Sequence, residues 1–147
     1  MQVLALDLSI NQTGWAISPN LYGHLKPDKK DPTYYKIRYN LRNILNLIYD
    51  NDIKEVVIED IASIPNRGAA AMLCEQQGII KYHLMLEKIP FTLVNVSTLK
   101  KFITGSGHAQ KKDMIQAVNT MYDLNLTNDN EADALALLHY YYNMYKF

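Results

Sequence analysis

Three acidic residues lie at positions where a soluble protein seldom places a charge without a function. Asp7 interrupts an otherwise apolar run, Glu59 follows the apolar run 56–58, and Asp133 lies among small and apolar residues of a helical segment. Burying a carboxylate is costly unless a cation or a hydrogen-bond donor compensates it. The flanking sequence supplies no obvious arginine or histidine, so a shared divalent cation is the simplest solution.

The ligands decide which chemistry such a site supports. Hard carboxylate oxygens suit Mg²⁺ or Mn²⁺, which retain several waters and also accept phosphate oxygens. Two such ions held about 4 Å apart can activate a water and stabilise the leaving oxygen of a phosphodiester. One of these acids alone would more simply be a turn former or an ion-pair partner. The three together predict a metal centre in which Asp7, Glu59 and Asp133 are ligands and catalytic residues.

The elements that must position these acids can be predicted from the hydrophobic pattern. Apolar, β-branched runs predict strands, and apolar residues at helical spacing predict helices. We expect strands over residues 3–8, 14–18, 55–61 and 91–96, and helices over 33–49, 69–87, 98–103, 110–122 and 130–145. The segments 23–33 and 65–68 are expected to be loops, and Ser97 is expected to cap the short helix.

This order begins with a hairpin and continues with alternating helices and strands. It implies a mixed sheet with helices on its faces, which is an α/β fold. No repeat or Gly/Ser-rich linker interrupts the 147 residues, so we expect a single domain over 1–147.

The composition is that of an ordinary globular protein, with 48% hydrophobic and 20% charged residues. A formal net charge of zero argues against nucleic-acid binding through bulk charge alone, but it leaves room for a local basic patch. The single cysteine, Cys74, excludes an internal disulfide and a multi-cysteine metal site. We expect a cytoplasmic protein without a membrane partner, because no apolar run approaches the roughly 20 residues that cross a bilayer and the first residues lack the basic start of a signal peptide.

Four segments, spread over nearly the whole chain, carry a recognisable pattern. They are Asp7-Leu8-Ser9 with Thr13-Gly14-Trp15-Ala16, Val57-Ile58-Glu59, Leu99-Lys100-Lys101-Phe102 with 104–112, and Glu131-Ala132-Asp133-Ala134-Leu135-Ala136. In this order they resemble the opening hairpin, the second acidic strand, the DNA-facing segment and the closing helix of RuvC-type Holliday-junction resolvases.

The resemblance implies an RNase H-like fold of the retroviral-integrase superfamily. It also implies a requirement for Mg²⁺, with two ions bound and Mn²⁺ as a substitute. The expected partners are branched DNA, in particular a four-way junction that receives paired nicks, and a second copy of the chain. The 69–87 helix is the expected dimer contact. The compact size and the segment 129–133 are more similar to the phage-encoded branch of the family than to the cellular one.

One position departs from the family pattern. The family usually has a fourth acidic ligand three residues before the last aspartate, and this chain has Asn130 there. Asn130 offers an oxygen without a charge, so it is a candidate metal ligand. Asp129, one residue earlier, is also a candidate catalytic residue because it can reach the same helix face, although it could instead cap the helix. Glu131 is expected to be solvated.

The residues expected to contact DNA lie around the turn 104–108, whose backbone amides could also meet a phosphate. Lys100 and Lys111 fall on family positions that approach the cleaved strand. For any single lysine, a solvated helix face is the simpler interpretation. The full set of candidates is Lys100, Lys101, Lys111, Lys112, Arg67 and Gln76.

Three other functions compete with this one. The first is another RNase H-like nuclease, and the second is an actin-like ATP-binding domain, which also opens with an aspartate hairpin. The ATP-binding domain needs a second large domain that 147 residues do not provide, so we expect no nucleotide cofactor. The third is a non-catalytic junction-binding protein, which would keep three buried acids without using them.

Overall fold

The computed structural model describes residues 2–61 and 67–146. The strands in this part of the chain are β1 (Gln2–Asp7), β2 (Thr13–Ser18), β3 (Leu21–Leu25), β4 (Ile53–Glu59) and β5 (Phe91–Val94). The helices are α1 (Thr33–Asp50), α2 (Arg67–Leu86), α3 (Val96–Thr104), α4 (Lys111–Tyr122) and α5 (Asp129–Tyr145).

The strands form one mixed sheet in the order β3-β2-β1-β4-β5. β2 is antiparallel to both β1 and β3, whereas β4 is parallel to both β1 and β5. Helices connect the parallel neighbours, because parallel strands need a long crossover between them. The predicted α/β class with a mixed sheet is confirmed.

The central strand β1 is buried on both faces because its side chains alternate between two cores. Val3 and Ala5 pack in one core with the apolar face of α5. Leu4 and Leu6 pack in the other with residues of α1 and α2, among them Ile44. An uninterrupted apolar run is therefore what this strand requires, since helices cover both sides of it.

The chain departs from the predicted elements at one edge of the sheet. Residues 23–25, expected to be a loop, belong to β3, in which Gly23 lies opposite Trp15 of β2. Gly23 makes room for the indole, since a Cβ atom at this position would lie 2.9 Å from the Trp15 ring. The loop prediction was wrong here because this short edge strand lacks the β-branched run on which strand prediction depends.

Three helices begin earlier than predicted, namely α2, α3 and, by one residue, α5. α3 begins at Val96 because the Asn95 side chain, rather than Ser97, caps it by accepting a hydrogen bond from the Thr98 N–H at 3.2 Å. α2 begins at Arg67, inside the expected loop 65–68, whose residues 65 and 66 lie outside the described part of the chain. Among the described residues, no helix is both long and apolar enough to cross a membrane.

The sheet brings the acidic residues to one edge. Leu6 of β1 is in register with Ile58 of the parallel strand β4. Asp7 and Glu59 each follow by one residue, so they end neighbouring strands on the same side. α5 packs across β1 and β2, which brings Asp133 to the same edge.

Candidate metal centre

Asp7, Glu59 and Asp133 converge at the carboxyl ends of β1 and β4. One carboxylate oxygen from each lies within 4.8 Å of the other two, and all three residues are partly buried. Their separation in the sequence spans most of the chain, so only the fold brings them together. The structure thus groups the three acids that the sequence predicts as metal ligands.

Gly14 allows α5 to come this close to Asp7. It lies opposite Asp7 in the β1–β2 pair. A Cβ atom at position 14 would lie 2.0 Å from the backbone oxygen of Asn130. Only the absence of a side chain there lets the first turn of α5 rest on β2 beside the metal centre.

The grouped carboxyl groups have raised pKa values. Burial raises the pKa of Asp7 well above its ordinary value, and the charges on Glu59 and Asp133 raise it further. Burial and the charge on Asp133 raise the pKa of Glu59 to about 8. Burial, and then the charge on Asp129, raise the pKa of Asp133 to about 6. The cluster therefore retains protons near neutral pH unless a cation balances its charge.

The Glu59 carboxylate gives the most direct indication of a metal. Its Oε2 atom is buried and has no hydrogen-bond partner among the described residues. Leaving a buried acceptor unsatisfied is unfavourable, and the neighbouring carboxylates Asp7 and Asp133 are acceptors too when ionised. Three hard oxygen donors with one unsatisfied atom fit a divalent cation, so the cluster can bind a metal ion.

The first turn of α5 also carries the two candidates for a fourth ligand. Asn128 caps the helix by accepting a hydrogen bond from the Glu131 N–H at 3.0 Å. Asp129 is therefore not the cap, and its Oδ2 atom lies 3.4 Å from Lys111 Nζ. Glu131 was expected to be solvated, but its Oε2 atom lies 2.7 Å from His24 Nδ1.

Asn130 is held by Gln12, a residue for which the sequence predicted no role. Its Nδ2 atom donates a hydrogen bond to Gln12 Oε1 at 2.6 Å. The same Gln12 oxygen accepts from Asn128 Nδ2 at 2.8 Å. These contacts join the β1–β2 turn to α5 across more than 100 residues, so no local pattern could have predicted them.

Lys100 and Lys111 act electrostatically on the acidic cluster. Lys100 lowers the pKa values of Glu59 and Asp133, and Lys111 lowers those of Asp7 and Asp133. Both positive charges therefore favour the ionised form of the carboxylates on which they act. The three other basic candidates, Lys101, Lys112 and Arg67, are exposed, and their contact with DNA stays a prediction.

Gln76 cannot contact DNA in this structure, because its side chain is 0% exposed. Its Nε2 atom donates to the Ser9 carbonyl at 3.1 Å, and its Oε1 atom accepts from Asn40 Nδ2 at 2.8 Å. The prediction for Gln76 was wrong, since the residue holds the segment that follows Asp7. Asn40 was missed, although a polar residue in the apolar stripe of α1 is a signal of a buried contact.

A cleft of about 210 Å³ opens beside the acidic cluster. Asp7 and Glu59 line it together with Asp60 and with Gln77 of α2. Asp60 is exposed, and its side chain accepts a hydrogen bond from the Ile61 N–H at 2.8 Å. The cleft gives solvent and small ligands a route to two of the three carboxylates.

The family model of crossover junction endodeoxyribonuclease RuvC matches residues 8–139 of this chain. The RuvC of Ehrlichia ruminantium (strain Gardel) is 26% identical over 155 residues, which covers 96% of this chain and 97% of that protein. The RuvC of Brachyspira hyodysenteriae (strain ATCC 49526 / WA1) is 33% identical over 113 residues, which covers 71% and 69%. Both relatives are bacterial, so the likeness to a phage-encoded branch stays a prediction.

Two solved structures of Thermus thermophilus RuvC have a similar fold. The structure in complex with Holliday junction substrate gives a TM-score of 0.78 at 18% identity and covers 93% of this chain and 90% of that one. A second RuvC structure gives a TM-score of 0.77 and covers 97% and 95%. The RNase H-like fold that the resemblance implied is confirmed. The family match includes Glu59 and Asp133 and begins directly after Asp7. This chain belongs to the crossover junction endodeoxyribonuclease RuvC family.

Proposed function

We propose that this chain is a structure-selective DNA endonuclease that resolves four-way (Holliday) or other branched DNA by paired, metal-dependent phosphodiester nicks. The observation that carries this proposal is the cluster of Asp7, Glu59 and Asp133, whose carboxylate oxygens lie within 4.8 Å of one another. Family membership supports a DNA junction as the substrate. The Holliday junction bound to the Thermus thermophilus relative, whose fold is similar, supports the same substrate class.

We propose Mg²⁺ as the cofactor, with two ions bound and Mn²⁺ able to replace it. Asp7, Glu59 and Asp133 would hold the ions through their carboxylate oxygens, and Asn130 or Asp129 would supply a further ligand. A bound divalent cation supplies a Lewis acid at the scissile phosphate and lowers the pKa of a nearby water. The unsatisfied Oε2 atom of Glu59 supports a cation in contact with this residue.

The lysines supply what the carboxylates cannot. Three clustered carboxylates repel a phosphodiester, so an approaching DNA strand needs positive charge beside them. Lys100 and Lys111 act on the same carboxylates from outside the cluster. We propose that they bind the phosphate backbone of the cleaved strand and hold it over the metal centre. Lys101, Lys112 and Arg67 are proposed to extend this contact along the DNA.

We further propose a homodimer, because one site cuts one strand and a symmetrical junction requires two cuts. α2 supports this proposal, since it exposes the apolar side chains of Tyr82, Met85 and Leu86. A hollow of about 440 Å³ lies between α2 and Tyr34 of α1, and Tyr82 is one of the residues that line it. Exposed apolar side chains grouped on one helix are common at protein–protein contacts.

The experiment that tests the function uses end-labelled synthetic DNA. A four-way junction, a three-way branch and a matched linear duplex are each incubated with the protein in Mg²⁺, Mn²⁺ or EDTA. We expect metal-dependent, symmetrical nicks in the four-way junction and an intact duplex. Equal cutting of all branched forms would widen the function to a general branch nuclease. Tight junction binding without cleavage in either metal would contradict the proposal in favour of a non-catalytic junction binder.

A further inference from the structure

The side-chain amides of Asn128, Gln12 and Asn130 form a hydrogen-bonded chain at the start of α5, and their orientations depend on one another. It begins at the helix cap, where Asn128 Oδ1 accepts a hydrogen bond from the Glu131 N–H at 3.0 Å. Because Asn128 Oδ1 is hydrogen-bonded to the helix backbone, the Nδ2 atom of the same amide points away from the helix, toward Gln12. That atom donates to Gln12 Oε1 at 2.8 Å.

Gln12 carries this orientation to Asn130. An amide oxygen has two lone pairs, so Gln12 Oε1 can accept two hydrogen bonds. The second comes from Asn130 Nδ2 at 2.6 Å. With its nitrogen bound to Gln12, the Asn130 amide presents Oδ1 on its opposite side. The helix cap thus determines, through Gln12, which atom Asn130 offers to its surroundings.

Asn130 lies where such an atom can act on the metal centre. It precedes Asp133 by three residues, so both side chains lie on the same face of α5. Its backbone oxygen rests on Gly14, which is paired with Asp7. Asn130 therefore lies on the helix that carries Asp133, and its backbone lies against the residue that is paired with Asp7.

We propose that Gln12 is a positioning residue that makes the fourth position of this metal centre a neutral oxygen donor, the Oδ1 atom of Asn130. This inference rests on the proposed metal-dependent function. Gln12 cannot reverse its amide without taking the acceptor from Asn128, and Asn128 cannot reverse without uncapping α5. A carboxylate at position 130 would face Gln12 Oε1, an acceptor, with no proton to share. The amide chain therefore matches asparagine at position 130.

Asn128→Asp gives a test in which two physical effects have opposite signs. The introduced carboxylate still caps α5, because aspartate is as good a helix cap as asparagine. It has only acceptors, so it turns Gln12 to donate through Nε2. Gln12 then offers a donor to position 130, and Asn130 turns its oxygen toward Gln12 and away from the metal. A simple charge effect predicts tighter cation binding by this variant, whereas the amide chain predicts weaker binding.

The measurement is Mn²⁺ binding to the protein alone by isothermal titration calorimetry, without DNA. We expect Asn128→Asp to weaken Mn²⁺ binding about tenfold, as is usual when the support of a metal ligand is lost. The charge-matched control is Asn125→Asp, which adds a carboxylate at an exposed position before the helix and should leave binding unchanged or tighter. Thermal unfolding of Asn128→Asp should match that of the unchanged protein, which shows that the cap is retained.

The double variant Asn128→Asp/Asn130→Asp provides the rescue. Its Gln12 Nε2 group can donate to both introduced carboxylates, so Asn130→Asp should tighten Mn²⁺ binding more in the presence of Asn128→Asp than alone. Unchanged or tighter binding by Asn128→Asp, or an equal effect of Asn130→Asp in both backgrounds, would overturn the proposal. Failure of the unchanged protein to bind Mn²⁺ would instead contradict the proposed metal-dependent function, so the two failures are distinguishable.

Discussion

Asp7 lies opposite Gly14 in the β1–β2 hairpin, and the missing side chain of Gly14 provides the space in which α5 rests. The backbone oxygen of Asn130 fills this space. A residue without any ligand atom thus sets the distance between the strand that carries Asp7 and the helix that carries Asp133.

Gly14→Ala should therefore damage both stability and catalysis. The added Cβ atom would lie 2.0 Å from backbone, which cannot turn aside as a side chain can. We expect the free energy of unfolding to fall by about 1–3 kcal/mol. The cleavage rate should fall by about 100-fold, because a shift of about 1 Å in a catalytic group has this effect. Urea denaturation and single-turnover cleavage measure the two changes.

Gly107→Ala is the matched control for this substitution. Its nearest neighbour would be the Ser97 backbone oxygen at 3.5 Å, an ordinary contact distance. Equal losses of stability in the two variants would show that close packing at Gly14 is not the cause.

Glu59 and Asp60, the neighbouring acids at the end of β4, should differ sharply in their effect on DNA cleavage. Glu59→Gln removes a charged ligand from the cluster, so cleavage in Mg²⁺ should fall on the order of 1000-fold or more, since a metal ion contributes several kcal/mol to such reactions. Asp60→Asn should change cleavage little, because Asp60 is exposed and bonds to the Ile61 N–H. Junction affinity in EDTA should stay the same in both variants. Similar cleavage by the two variants would contradict the assignment of Glu59, and Asp7→Asn should behave like Glu59→Gln.

The fold was predictable where one sequence pattern has one structural meaning. The apolar runs predicted β1 and β4 at the centre of the sheet. The acids at the ends of these runs predicted where the metal centre lies. β3 was missed because its Gly23 is explained by the Trp15 ring of the neighbouring strand, which leaves no room for a Cβ atom. This contact is not visible in the local sequence. Strand and helix order could thus be predicted, whereas an edge strand defined by its neighbour could not.

The site was predictable in its charges but not in its supports. Carboxylates that need a cation are visible in the sequence, because few other arrangements tolerate them in an apolar segment. Gln76 was wrongly predicted to contact DNA, because polarity alone suggests exposure. In the structure, its partners Asn40 and Ser9 satisfy the amide inside the protein. Gln12 was missed because its hydrogen-bond partners lie more than 100 residues away in the sequence.

The metal-free protein should lose stability as the pH rises. Folding raises the pKa of Glu59 to about 8 and that of Asp133 to about 6. The folded protein therefore holds protons that the unfolded chain has already released, and the free energy of unfolding falls with rising pH between about 4.5 and about 8. Thermal unfolding in EDTA across this range measures the effect, and added Mg²⁺ should restore the lost stability at the upper end.

Glu59→Gln separates this effect from other titrating groups. The pKa of His139 is lowered by burial, so its contribution has the opposite sign and changes below its ordinary pKa of about 6.5. The pKa of Glu55 is lowered by Lys146 and Tyr141, so its contribution changes below 4.5. The difference between the unchanged protein and Glu59→Gln reports the titration of Glu59 together with the effect of its charge on the pKa of Asp7. A difference that does not change between pH 5 and 8 would contradict the raised pKa.

Lysines near the cluster should contribute to DNA binding in a salt-dependent way. Lys100→Gln and Lys111→Gln should each reduce the slope of log affinity against log salt by about 1, because each lysine neutralises one phosphate. Lys54→Gln is the control, since Lys54 pairs with Asp52 near the amino end of β4, at the opposite edge of the sheet. Junction affinity from 50 to 200 mM salt, measured in EDTA, tests this. A slope equally reduced by all three substitutions would show only a general charge effect.

Gln76→Leu distinguishes a buried support from a DNA contact. The substitution keeps the bulk of the side chain but removes a donor to the Ser9 carbonyl and an acceptor for Asn40. We expect the free energy of unfolding to fall by about 1–3 kcal/mol, because two buried hydrogen bonds are lost. The Ser9 carbonyl still accepts from Thr13 and Asn40, and Asn40 Nδ2 still donates to the Ser9 and Ile10 carbonyls. Junction affinity in EDTA should not change, since the side chain is 0% exposed. Gln116→Leu, at an exposed position of α4, should leave stability nearly unchanged. A loss of junction affinity without a loss of stability in Gln76→Leu would show that Gln76 turns outward to bind DNA after all.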